Sequence, residues 1–170
     1  MGRRQAARIE PAREDPRETD RTDRHRGPPL RLYLDTSALL KIYVVEQGSD
    51  LIKARAADAS LIASSSIAYV EARSALARRR AAGDIPSRVY RRLVGDFDAD
   101  WDRYVRIEVS EALVRRAAGL AERHRLRAYD SIHLASALLL REQPGDDMIF
   151  AALDEELDRA AAREGLRLLR

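Results

Sequence analysis

The sequence predicts an α/β fold: a central, mostly parallel sheet of about five strands, covered by helices on both faces. Three observations point there. Short apolar runs that read as strands alternate with longer helix-forming stretches from Leu30 to the end of the chain, the pattern of a parallel sheet with helical crossovers. Residues suited to cap helices or break them stand at the boundaries between these runs. At 170 residues, the chain is long enough for one well-filled core, whereas two domains would each be small.

Residues 1–29 lack apolar periodicity and are dense in Arg, Glu, Asp and Pro, ending in Gly27-Pro28-Pro29, so they are expected to be a flexible charged extension ahead of a domain at 30–170. From Leu30, "LRLYL" predicts a first strand ending near Asp35, followed by a helix that carries Leu39, Leu40 and Tyr43 toward the core. A helix around residues 48–57 leads to the second strand, "LIASSS". Ser64, Ser65 and Ser66 are candidate caps for the next helix, placing Glu71 about two turns in. Gly83-Asp84-Ile85-Pro86 breaks the pattern, a helix runs through Tyr90 and Phe97, and "YVRIEV" supplies a third strand. Ser110 reads as an N-cap, with Glu111 in the first turn of an amphipathic helix reaching His124. Asp130 is expected to open and cap "DSIHLASALLL", a helix apolar on most sides that should cross the interior. "DMIFAALD" predicts a fourth strand ending at Asp154; a helix over about 155–163, a Gly165 C-cap and a closing strand "LRLL" complete the chain.

Composition narrows the chemistry. No apolar stretch is long enough to cross a bilayer, and no signal or anchoring motif is evident, so a cytoplasmic protein is expected. The absence of cysteine excludes disulfides and thiolate catalysis. The first 29 residues hold eight arginines against six acids and so contribute +2 of the formal +3, leaving the body nearly neutral. That argues against a uniformly basic nucleic-acid face while leaving room for local patches. There is no glycine-rich phosphate loop, zinc-ligand spacing or Gly-x-Ser-x-Gly elbow. "LDTSA" superficially resembles an aspartyl-phosphate motif, but the second acid that chemistry needs is replaced by Ser37.

The strongest constellation is acidic. Asp35 and Asp154 are expected outside the carboxyl ends of strands, where open α/β sheets gather functional groups, and Glu71 and Asp130 join them from neighbouring helices. Each has a structural alternative: Asp35 and Asp130 as caps, Glu71 paired with an arginine, Asp154 as a turn residue. Four converging carboxylates repel one another, which makes physical sense chiefly where a hard divalent cation, Mg2+ or Mn2+, neutralises them. Such a site can hydrolyse a phosphodiester, with Asp35 and Asp130 on the metal, Glu71 ligating or orienting water, Asp154 holding a second metal or its hydration shell, and Thr36 and Ser37 donating hydrogen bonds.

"YLDTSALLKIY", "SSIAYVEARSALARR", "LRAYDSIHLASALLL" and "ALDEELDRAAAREGLRLL" resemble the successive acidic motifs of PIN-domain proteins, especially the VapC-type toxin ribonucleases of bacterial toxin–antitoxin pairs. The resemblance runs from about Leu30 to Arg170 and implies a three-layer α/β/α fold, a magnesium-dependent endoribonuclease activity on RNA, a homodimer and a cognate VapB-like antitoxin. By the same resemblance the four acids are Asp35, Glu71, Asp130 and Asp154, with Thr36 as the hydroxyl after the first. A non-catalytic RNA-binding or protein-interaction module, or a metal-dependent DNA nuclease, are the rival readings.

Other residues carry weaker signals. His133 lies one turn after Asp130 but reads as a hydrogen-bonded core histidine; His124 suits a helix C-terminus, and His25 belongs to the extension. Arg73, Arg78, Arg79 and Arg80 are either phosphate guides or solvated helix charges. Trp101 and Tyr104 are expected to pack in the core rather than stack on a base. The helices around Tyr43, Leu51 and Leu76 are candidates for an apolar face toward a second subunit or an antitoxin.

Overall fold

The computed structural model describes residues 9–10, 30–145 and 147–170. Its strands are β1 (Ile9–Glu10), β2 (Arg31–Leu34), β3 (Leu61–Ser65), β4 (Val105–Ile107), β5 (Met148–Ala151) and β6 (Arg167–Leu168). They form one sheet in the order β1-β4-β3-β2-β5-β6. The five strands from β2 to β6 are parallel, as expected, and β1 adds an antiparallel edge through Ile9 opposite Ile107. Apart from these two residues, the expected N-terminal extension lies outside the described residues.

Strand β2 is central, with Tyr33 in register with Ala63 on one side and Phe150 on the other. Because the pleat sends successive side chains to opposite faces, β2 feeds two cores. Leu32 and Leu34 pack with α1 (Thr36–Leu40), α2 (Ser49–Asp58), α3 (Ile67–Ala82) and α4 (Ser87–Trp101). Tyr33 packs with α5 (Glu111–His124), α6 (Ala128–Glu142) and α7 (Glu155–Arg163). Strand β5 divides in the same way, Ile149 and Ala151 to the first core, Met148 and Phe150 to the second. The result is the predicted three-layer α/β/α arrangement.

Local chemistry sets the helix ends. Ser110 caps α5 by accepting from the Leu113 N–H, and Gly83 closes α3 at φ 86°, a backbone that side-chain-bearing residues rarely adopt. Helix α6 is the interior helix the sequence predicts: Ser131 and every residue from His133 to Leu138 are buried in it.

Several boundaries differ from expectation. Only Ser66 stands at the N-cap of α3, without a side-chain bond, since Ser64 and Ser65 remain in β3; Glu71 is therefore one turn into the helix, not two. Strand β5 stops at Ala151, three residues before Asp154. Leu76 is fully buried rather than part of an outer apolar face, and the Tyr43 hydroxyl is turned in to Tyr104 and Asp100. Leu51 is exposed, as are Val45 and Val70. Trp101 and Tyr104 join Tyr69 and Phe97 in a packed aromatic cluster, in line with the core reading. Among the described residues, no helix is long and apolar enough to cross a membrane.

Candidate active site

After β2 the chain moves outward to β3 and β4, then returns to β5 on the other flank of β2. The crevice beyond the carboxyl ends of β2 and β5 is thus the point where strand order reverses, the place where open α/β sheets hold ligands. Asp35 enters it directly. Its N–H donates to the Ala151 carbonyl at 3.0 Å, fixing it at the β2–β5 boundary. Its carboxylate caps α1, accepting from the Ala38 N–H at 2.8 Å and from the Ser37 hydroxyl at 2.8 and 2.9 Å. Ser37 in turn accepts from the Leu153 N–H at 3.1 Å, tying this corner to the segment that leads to Asp154.

Asp35 is only 6% exposed. Burial holds its carboxyl above the ordinary range; His133 and the Ala38 and Ser37 hydrogen bonds oppose that rise, and the nearby Asp130 charge adds to it. Its cap role and its place in the crevice are compatible, because the backbone cap uses Oδ1 and Oδ2 shares only the Ser37 hydroxyl.

Glu71 reaches the same corner from α3. Its Oε2 accepts from Thr36 Oγ1 at 2.5 Å and from His133 Nε2 at 3.0 Å. Burial pushes this carboxyl up, but the hydrogen bonds from His133 and Thr36 and the attraction of His133 outweigh it, leaving Glu71 below the usual carboxylate range. His133 is buried, as predicted, yet it also belongs to the site. Nε2 faces an acceptor-only carboxylate and therefore carries a proton, while Nδ1 lies 3.0 Å from the Tyr33 hydroxyl, which donates to it in the neutral ring. A wire Tyr33–His133–Glu71–Thr36 thus runs from the core to the crevice.

Asp130 does not open or cap α6. The helix begins two residues earlier, at Ala128, with Arg127 at the N-cap, so Asp130 sits in the first turn. Its Oδ2 accepts from Arg127 Nε at 2.8 Å. Asp154 is the N-cap of α7, with Oδ1 accepting from the Glu156 and Leu157 N–H groups, both at 2.9 Å, and Oδ2 accepting from Arg127 Nη2 at 3.0 Å. One guanidinium therefore bridges the third and fourth acids.

All four predicted acids are on this edge, but in three groups: Asp35 with Ser37, Glu71 with Thr36 and His133, and Asp130 with Asp154 through Arg127. Among the described residues, no three acidic or histidine side chains converge as a ready-made metal cage. The donor set still suits a hard cation that keeps most of its water. Glu71 Oε1 and Asp130 Oδ1 accept no hydrogen bond from the described residues, and magnesium needs only one or two protein carboxylates.

Tyr33 and Arg127 were not among the sequence candidates. The signal for Arg127 is its spacing, one turn before Asp130, and for Tyr33 a hydroxyl-bearing ring in an all-buried strand, which needs a partner. The basic residues of α3 are engaged elsewhere. Arg73 binds both oxygens of Asp98 at 2.9 Å, Arg78 donates to Ser74, Arg79 pairs with Glu46, and Arg80 lies 4.5 Å from the centre of the Tyr90 ring.

Residues 32–163 match the PIN domain family model. The chain is 32% identical over 137 residues to ribonuclease VapC45 of Mycobacterium tuberculosis strain CDC 1551 / Oshkosh, covering 81% of this chain and 93% of the relative. Ribonuclease VapC49 of M. tuberculosis strain ATCC 25618 / H37Rv matches with the same identity and coverage. Among solved structures, FitAcB from Neisseria gonorrhoeae superposes with a TM-score of 0.58 at 16% identity, over 82% of this chain and 96% of that one. VapBC2 from Rickettsia felis, bound to a promoter DNA fragment, gives 0.56 at 14% identity, over 81% and 96%. With the strand order, the crevice acids and the sequence match in agreement, the chain belongs to the PIN-domain family and is of the VapC type.

Proposed function

We propose that this chain is a magnesium-dependent endoribonuclease, with Mn2+ able to substitute, and the toxin of a toxin–antitoxin pair acting in the cytoplasm, with its nuclease domain at residues 30–170. The observation that carries the reading is a buried Asp35 carboxylate, raised in pKa by burial, beside three further acids in the crevice where strand order reverses. The ribonuclease relatives support RNA as the substrate. The likeness to the VapC ribonucleases supports a VapB-like antitoxin as partner, and exposed Val45, Leu51 and Val70 are consistent with a homodimer or antitoxin contact.

Asp35 and Asp130 would hold the metal, with Asp154 supporting them and Glu71 acting on water rather than on the ion. When bound, magnesium neutralises phosphate charge and makes water a better nucleophile at neutral pH. The chain's own groups do the positioning. Glu71, kept ionised by Thr36 and His133, presents Oε1 to orient the attacking water and accept its proton. Ser37 holds Asp35 against rotation, and the Thr36 hydroxyl fixes Glu71.

The test is cleavage of total cellular RNA and of matched DNA by purified, antitoxin-free protein, with magnesium, with EDTA, and with Asp35→Asn. Discrete RNA products that need magnesium and vanish in the variant are expected. Cleavage of RNA by a well-purified Asp35→Asn protein would overturn the mechanism, and preference for DNA would overturn the substrate.

A further inference from the structure

Arg127 is the least expected member of the site. Its side chain is 75% exposed, and it gives α6 no side-chain cap, so nothing in the packing of the fold requires an arginine here. Its described hydrogen bonds are the two it donates to Asp130 and Asp154.

We propose that Arg127 is a positioning residue that serves as an internal counter-cation, competing with a divalent ion for the Asp130–Asp154 pair and so setting the affinity of that half of the site. This rests on the metal-dependent reading above. Asp154 offers one oxygen outward: Oδ1 is already taken by two backbone N–H groups of α7, and Oδ2, the atom left to face a cation, is the one Arg127 holds. Asp130 gives the guanidinium its Oδ2 as well. A cation that reaches Asp154 must take the Oδ2 atom the guanidinium holds, and one on Asp130 Oδ1 shares its carboxylate with the guanidinium on Oδ2, so the two positive groups repel each other across the pair.

Charge argues in the same direction. Two carboxylates with one guanidinium leave a net negative pair, enough to draw in a divalent ion but less than the bare pair would. Release of the guanidinium is easy, because an exposed ion pair on a long side chain is weak. The arrangement keeps two acids from repelling each other while no metal is bound, and it yields when one arrives.

Mn2+ binding to the full chain, followed by electron paramagnetic resonance at fixed ionic strength, tests this without reference to activity. Arg127→Ala should bind Mn2+ about threefold tighter than the parent protein, the scale an exposed ion pair supports. Arg127→Gln keeps the length without the charge and should behave likewise; Arg127→Lys, which keeps the charge, should fall between. The gain should shrink in an Asp154→Asn background, where one competitor site is neutralised. Equal Mn2+ affinity in folded parent, Arg127→Ala and Arg127→Gln proteins overturns this inference while leaving the nuclease reading in place. No Mn2+ binding by any of them at millimolar concentration overturns both.

Discussion

Replacing Tyr33 by Phe removes one buried hydroxyl at the root of the site. The Tyr33 ring is fully buried, stacked on Phe150 with centroids 5.6 Å apart and edge-on to His133 at 6.2 Å. Phenylalanine keeps that packing and removes the hydroxyl, which meets His133 Nδ1 at 3.0 Å and also interacts with Ser136 and the Ser65 backbone. His133 is itself buried, so its nitrogen is left without a partner, which costs about 1–3 kcal/mol. For a chain of this size a loss of about 2 kcal/mol lowers the melting temperature by about 4–8 °C. Urea unfolding should show a lower midpoint with an unchanged slope, because the surface exposed on unfolding stays the same. RNA cleavage should fall more than RNA binding, since the imidazole loses the contact that orients it on Glu71. A Tyr33→Phe protein within about 0.5 kcal/mol of the parent, below the cost of an unpaired buried acceptor, would refute the wire as a structural element.

Asp35→Asn should lower RNA cleavage by about 10²–10³-fold, the scale of losing one preorganised charge at a reaction centre, while keeping the α1 cap, for which Asn serves as well as Asp. Its effect on stability should depend on pH. Burial raises the folded-state pKa of Asp35 above its ordinary value of 3.8, so its contribution to folding is most favourable below that value and is lost as pH rises through the raised one. The stability of Asp35→Asn relative to the parent, measured in EDTA, should therefore improve from acidic to neutral pH, and a flat difference over that range would contradict the burial argument. Arg73→Ala should leave RNA binding and cleavage unchanged and cost at most about 1 kcal/mol, because its partner is the half-exposed Asp98 and not the crevice; a clear loss of RNA affinity in a gel-shift assay would restore it as a phosphate guide.

Much of this protein could be read from local order. Strand-length apolar runs, helix-forming runs and the capping residues between them follow from short-range periodicity and backbone chemistry, and they placed five parallel strands and their helices in the right order. Because acids such as Asp35 and Asp154 sit just past strands, the edge they share was legible too. What local order could not reach was pairing between distant residues. Asp130 looked like a cap because Asp is a good one, but α6 starts at Ala128 and leaves Asp130 free to face Arg127 and the crevice. Leu76 looked like a surface residue until packing buried it.

The sequence by itself determined the fold class, the acids and their common edge, because each depends on which residue types follow one another along a strand or helix. Only the tertiary structure decided how those acids are partnered: Tyr33 reaches His133 across 100 residues, His133 reaches Glu71 across 62, and Arg127 reaches Asp154 across 27. The physical reason is that electrostatic and hydrogen-bond energies depend on distance in space, and the chain fixes that distance only after the sheet has brought its strands into register.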